Sequence, residues 1–287
     1  MLKSVLTIGG DRVGLGGSRA RRLRHSFRSR LAEHPALYLP LARFIRKRPG
    51  PAVVGADTEL VIDGYPRSAN TFAVFAFQLA QTRPVRLAHH LHAPAHLIEA
   101  ARLRAPALAL IREPEGAVLS TVIREPDVGL KAALASYSRF YLRLMPHRSR
   151  LAVATFEEVT GDFGEVIELV NRKFGTSFAR FEHTPENVLE CFRLIEERTR
   201  RPRWGTLLAG FTSGFVTSVE LREFLSCRGD WRPLTDSLER LAPRPSEHRA
   251  RLRESLQEEF NHPRLEAERI KAYQVYDAFV GSQAPTS

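Results

Sequence analysis

From Glu59 to Phe174 the chain alternates short apolar runs with longer amphipathic ones. The short runs are Glu59 to Asp63, Val85 to Ala88, Ala107 to Ile111 and Leu151 to Thr155. Between and after them, helical periodicity covers Thr71 to Gln81, Pro94 to Arg104, Glu115 to Ile123, Leu130 to Leu144 and Asp162 to Phe174. Gly175 closes the last as a C′ glycine. A strand that reaches the next through a helix has room to run parallel to it. Ala107 to Ile111 is apolar at every position, which suits a strand covered on both faces. The alternation therefore predicts an α/β fold with an open, mainly parallel sheet flanked by helices. The C-terminal third, residues 183–287, reads as mostly helical. Thr184-Pro185 is a cap followed by an N1 proline, and Ser246 opens a charged helix. Pro263 to Val280 closes the pattern, with Ile270, Tyr273, Tyr276 and Val280 as its apolar face.

At 287 residues, 43% hydrophobic and 26% charged, the chain can bury a sizeable core and reads as globular. Cys191 and Cys227 have neither disulfide nor metal spacing and are expected to be reduced packing residues. No signal segment and no bilayer-length apolar run is evident, so a cytoplasmic protein is expected. The net charge is +11, but residues 1–48 hold 12 Lys/Arg against 2 Asp/Glu. The remaining 31 basic and 30 acidic residues nearly cancel. This divides the chain into a basic N-terminal arm, 1–50, ending at the Pro49-Gly50-Pro51 linker, and a domain over 51–287. It also argues against a nucleic-acid partner, which would want its basic stripe on the fold itself. Within the arm, Leu23, Phe27 and Leu31 recur among Arg21, Arg22, Arg24, Arg28 and Arg30. That is the pattern of a basic amphipathic helix, either a peripheral membrane contact or a solvated helix packed on the domain. The glycines between Gly9 and Gly17 lack the strand, helix and acidic residue of a nucleotide-binding βαβ unit.

The junction after the first strand carries the chemistry. Gly64-Tyr65-Pro66-Arg67-Ser68-Ala69-Asn70-Thr71 has the frame of a P-loop, G-x-x-x-x-G-K-[ST], with Ala69 for the second glycine and Asn70 for the lysine. Backbone N–H groups and a helix N-terminus at such a junction can cradle phosphate oxygens. Ser68 and Thr71 add hydroxyls. The missing lysine argues against ordinary ATP or GTP hydrolysis. A cation is present earlier in the loop, as Arg67.

Tyr65 to Phe72 resembles the phosphosulfate loop of the sulfotransferase family, Y-P-[KR]-S-G-[TN]-[TN]-[WF], with Ala69 as the departure. The resemblance implies a P-loop-like sulfotransferase fold and 3′-phosphoadenosine 5′-phosphosulfate as donor. Arg67, Ser68, Ala69, Asn70, Thr71 and Phe72 would hold the phosphosulfate. Arg112-Glu-Pro-Glu-Gly-Ala-Val-Leu-Ser120 is similar to the family's 3′-phosphate motif, R-x-P-x-x-x-x-x-S. Arg112 follows a buried strand, at the end where open α/β sheets bind ligands. Ser120 lies in the next helix, so guanidinium and hydroxyl can meet on one phosphate. Phe156-Glu157-Glu158-Val159 is similar to the adenine-side Y-E-D-L element and keeps an aromatic at Phe156. Gly229-Asp230-Trp231 matches a family G-D-W, but Phe224-Leu225-Ser226 stands in place of R-K-G, and no contact is assigned there.

Four histidines, His89, His90, His92 and His96, cluster at the end of the second strand. Their spacing surrounds one ion poorly and no carboxylate accompanies them, which disfavours zinc. His90-Leu91-His92-Ala93-Pro94 resembles the family's K-T-H-x-P, which puts His92 in the place of the catalytic base. A shift of register would substitute His90 or His89. A neutral imidazole can take the acceptor's proton near pH 7. Arg67 is the cation for the leaving phosphate. The implied reaction needs no metal and releases adenosine 3′,5′-bisphosphate. Its acceptor would be a small-molecule or glycan hydroxyl, carbohydrate or glycolipid, bound by the histidine segment and the C-terminal third. The alternatives are a P-loop-type nucleotide kinase, which requires Mg²⁺ and the absent lysine, and a catalytically silent nucleotide-binding protein, which has no need of Arg67 together with His92.

Overall fold

The computed structural model describes residues 27–45, 53–200 and 247–281. The glycine-rich lead-in, Leu23, the Pro49 linker, Cys227 and Gly229-Asp230-Trp231 lie outside the described residues. Four parallel strands form one sheet: β1 (Leu60–Gly64), β2 (Leu87–His89), β3 (Ala107–Ile111) and β4 (Ala152–Thr155), in the order β2-β1-β3-β4. Helix α1 (Pro35–Ile45) precedes the sheet. α2 (Asn70–Ala80) and α3 (Pro94–Leu103) make the crossovers from β1 to β2 and from β2 to β3. α4 (Pro114–Arg124), α5 (Leu130–Leu144) and a 3₁₀ turn (Met145–Arg150) lead to β4. α6 (Phe156–Gly161), α7 (Phe163–Phe174), α8 (Pro185–Arg200), α9 (Glu247–Asn261) and α10 (Glu266–Gly281) follow. No helix among the described residues is long and apolar enough to cross a membrane.

Alternate strand positions feed two cores, because successive side chains point to opposite faces. Val61, Ala107, Ala109, Ile111 and Val153 pack beneath α1, α3, α4, α5 and α10. Leu60, Ile62, Leu108, Leu110 and Ala154 pack beneath α2, α7 and α8. The chain goes from β1 outward to β2, then returns past β1 to β3. At such a reversal the loops after the two central strands part in opposite directions and leave a crevice at their carboxyl ends. Gly64 sits there, paired with Leu110; a Cβ on it would lie 2.2 Å from the Leu110 carbonyl oxygen. Only glycine lets β1 close against β3 at this point.

β3 and α5 have the ends their patterns predict, whereas β2 starts at Leu87, later than the expected Val85. One expectation needs correcting. The last helix opens with a 3₁₀ turn, Pro263–Leu265, and buries Ala272, Val275 and Phe279. Ile270 is 52% exposed, while Tyr273, Tyr276 and Val280 only flank the contact. Small Ala272 lets α10 approach, and Phe279 then stacks on Tyr141 with ring centroids 5.0 Å apart. Residues 27–45 of the basic arm pack on the core. Ala32, Leu39 and Ala42 are buried, Arg43 Nη2 donates to the Val54 carbonyl at 2.7 Å, and Ala95 N–H donates to the Ala32 carbonyl at 3.0 Å. Its buried apolar residues make this stretch part of the fold.

Candidate functional site

Residues 65–69 join β1 to α2. Arg67 (φ 71°) and Ala69 (φ 61°) both take left-handed backbone. For a non-glycine residue this costs about 1–2 kcal/mol, so the loop needs anchors. Tyr65 is the main one. Its N–H donates to the Tyr141 hydroxyl at 3.3 Å, and its own hydroxyl lies 2.9 Å from Ser136 Oγ and 3.2 Å from the Ala133 carbonyl. Burial pushes this phenol up to about 12. Asn70 Nδ2 donates back to the Tyr65 carbonyl at 3.0 Å and closes the loop. No side chain caps α2, whose N-cap is Ala69, so its first-turn N–H groups are left for another acceptor. Ser68 is fully buried, and its hydroxyl, close to Tyr141, makes no hydrogen bond of good geometry. Phe72 is turned into the core against Phe163, Phe181 and Phe192. What Phe72 can offer a ligand is its backbone N–H rather than its ring.

The second predicted segment meets this loop. Arg67 Nε donates to Ser120 Oγ at 2.8 Å, and Arg112 Nη1 donates to the Arg67 carbonyl at 3.4 Å. The Arg112 guanidinium lies 3.9 Å above the centre of the Phe156 ring. Tyr137 donates to the Arg112 carbonyl at 2.6 Å and pins the end of β3. Gly116 makes room for the guanidinium, since a Cβ there would be 2.6 Å from Arg112 Nε. That Nε is buried without a hydrogen-bond partner, an exception that needs a reason. Burial pulls the pKa of Arg112 down and Arg253 on α9 pushes the same way, with Glu157 and Glu113 opposing. Arg253 itself lies 3.9 Å from the Glu115 carboxylate. Arg253 had no motif in the sequence to mark it.

The β2–α3 junction is built differently. His90 (φ 59°) and His92 (φ 50°) are also left-handed. Here the anchor is Asp63, at the end of the neighbouring strand and fully buried. Its carboxylate accepts from Gly64 N at 2.9 Å, Leu91 N at 3.0 Å, His92 N at 3.1 Å and His96 Nδ1 at 2.7 Å. Burial alone would raise its pKa. The hydrogen bond from His96, with His92 and Gly64 behind it, overrides that and holds the carboxyl at about 2. The far nitrogen of His96 accepts from Val54 N at 3.2 Å, so the ring carries its proton on Nδ1. Asp63 and His96 were read from the sequence only as a strand end and a member of a histidine cluster.

The geometry separates the three candidate bases. His89 and His90 bond through their Nδ1 atoms at 2.6 Å, and His90 Nε2 bonds Thr71 Oγ1 at 3.1 Å. Both ring nitrogens of His90 are thus engaged. His92 Nδ1 donates to the Gly64 carbonyl at 3.0 Å, which leaves its Nε2 lone pair available. Its side chain is 25% exposed and forms part of a cleft wall with Arg28, Pro66, Thr121, Glu125 and Phe140. Burial, outweighing the nearby Asp63 carboxylate, lowers the pKa of His92 and favours the neutral ring. The described lining comes from residues 28–33, the β1 loop, the β2–α3 junction (His92 and Pro94), α4 and α5. Neither models of protein families, nor curated proteins, nor solved structures give a match to this chain.

Proposed function

We propose that the chain moves a sulfuryl group from 3′-phosphoadenosine 5′-phosphosulfate to an acceptor hydroxyl. The observation that carries this reading is the convergence of Arg67, Ser120, Arg112 and Phe156 at the switch point of the sheet. The Arg112 guanidinium and the uncapped N-terminus of α2 fit a ligand with two separate anionic groups. The loop would hold one with its N–H groups and Thr71, and Arg112 with Ser120 would hold the other. When bound, the donor supplies an activated sulfuryl group on a phosphate leaving group. Arg67 stabilises the negative charge that grows on the leaving oxygen, where a fixed cation lowers the barrier most. His92 Nε2 takes the proton from the acceptor hydroxyl, with its ring oriented by the Nδ1–H bond to Gly64 and its backbone by Asp63. Glycan and glycolipid hydroxyls are the acceptors to test first.

The test follows labelled sulfur from the donor into a panel of hydroxyl acceptors with chelator present. The reading expects transfer without added metal and its loss in Arg67→Ala. Transfer of phosphate from ATP, dependent on Mg²⁺, would replace it with a kinase. Tight adenosine 3′,5′-bisphosphate binding with no transfer to any acceptor would leave a silent nucleotide-binding protein.

A further inference from the structure

Helix α1 is apolar on two faces. Its residues, Pro-Ala-Leu-Tyr-Leu-Pro-Leu-Ala-Arg-Phe-Ile, include one charge, Arg43. Leu39 and Ala42 are buried against the core, with Tyr38 packed beside them. Leu37, Leu41 and Phe44 fall at i, i+4 and i+7, share the opposite face, and are 62%, 42% and 68% exposed. Phe27, just upstream, is 69% exposed. A surface helix of a water-soluble fold normally turns a polar face outward, and one apolar all round belongs in a core or in lipid. The flanks of α1 are basic, with Arg28 and Arg30 before it and Arg46, Lys47 and Arg48 after it. Glu33 is the lone acid between residues 27 and 48. It is buried and paired with Arg139 at 3.1 Å and Arg143 at 2.8 Å, so its charge is neutralised inside the fold.

We propose that this face of α1 seats the protein on an anionic lipid bilayer. An apolar stripe framed by arginine and lysine is what the boundary between headgroups and acyl chains takes up. The basic flanks add attraction to anionic headgroups. This face lies further along the chain than the Leu23–Phe27–Leu31 pattern, of which Leu23 lies outside the described residues. The placement bears on the site. Arg28, Ala32 and Glu33 line the cleft at His92, and Tyr38 donates to the Leu91 carbonyl at 3.4 Å. Leu37 is four residues beyond Glu33, which limits their separation to about 14 Å. A bilayer under α1 lies beside the cleft, and the acceptor class it favours is a hydroxyl on a lipid headgroup. The acceptor class rests on the sulfuryl-transfer reading; the docking does not.

The test sediments the full-length protein with phosphatidylcholine vesicles, with and without phosphatidylglycerol. The comparison is the Leu37→Glu/Leu41→Glu/Phe44→Glu triple variant, whose exposed positions leave the fold intact and the melting temperature near that of the wild type. Wild type is expected on the anionic vesicles, and the triple variant to bind them roughly tenfold or more weakly. Equal binding of the two proteins overturns the docking, as does wild type that stays in the supernatant. A dimer on gel filtration that the triple variant loses, with no vesicle binding by wild type, makes the stripe a self-contact and overturns it too. Both proteins are also titrated with adenosine 3′,5′-bisphosphate. Vesicle binding without a nucleotide response keeps the docking and overturns the lipid-borne acceptor.

Discussion

Two strand-to-helix junctions lie side by side at the carboxyl edge of the sheet, after β1 and after β2. Each turns through two left-handed residues, Arg67 and Ala69 in the first, His90 and His92 in the second. The first is tied mostly to itself and to α5, through Asn70 and Tyr65. The second is tied to the Asp63 carboxylate, which reaches it from the neighbouring strand. A loop that closes on its own residues tolerates local damage. A loop hung on one buried charge depends on that charge. On the proposed reading the first junction binds phosphate and the second transfers the proton, and the difference in their anchors predicts that they fail separately.

The largest effect is expected at the shared anchor. Asp63→Asn removes a buried charge with four donors around it, which costs about 3–5 kcal/mol when one partner of such a group is lost. Denaturant titration measures it. The folded-state pKa of about 2 lies below the ordinary 3.8. The stability Asp63 adds is therefore present above pH 3.8 and lost as pH falls through 2. The variant should lack that acid limb.

His92→Ala should lower turnover roughly 100- to 10,000-fold with donor affinity unchanged, as for loss of a general base. In the wild type the acid limb of turnover should fall below the ordinary imidazole value of 6.5, because burial lowers the His92 pKa. Full activity in His92→Ala would return the role to His90.

Arg112→Ala should leave the fold standing and weaken nucleotide binding by about 1.5–3 kcal/mol, the range for a charge-assisted hydrogen bond. Gly116→Ala sharpens the point without touching a charge. Its Cβ would displace the Arg112 guanidinium and should weaken binding in the same direction, by about 1 kcal/mol. The smallest effect is expected at Ala69→Gly, which relieves left-handed strain and should stabilise the fold by up to about 1 kcal/mol.

The two junctions also differ in how far the sequence reveals them. The motif of the first could be read residue by residue, although the partners of Tyr65 on α5, Ala133, Ser136 and Tyr141, lie 68 to 76 residues away. Arg112 and Ser120 could be read because their segment resembles the 3′-phosphate motif and Arg112 follows a buried strand. Asp63 could not, because its partners Leu91, His92 and His96 lie 28 to 33 residues away. Tyr137 and Tyr141 fall without distinction inside the helical run Leu130 to Leu144, and their hydroxyls act on backbone that only the fold brings near. α1 gave no helical period because apolar residues run right round it. Arg253 is one arginine among many on a charged helix, and packing of α9 on α4 brings it near Arg112.

The central claim is a two-phosphate nucleotide site between the loops of β1 and β3. Calorimetric titration with adenosine 3′,5′-bisphosphate in chelator, set against ATP with Mg²⁺, tests it most directly. The account predicts saturable, metal-independent binding that Arg112→Ala weakens and ATP does not match. At a ligand concentration of 100 times Kd, the bound protein should be stabilised by about 2.7 kcal/mol. Tighter binding of ATP with Mg²⁺, or an affinity indifferent to Arg112→Ala, would contradict it.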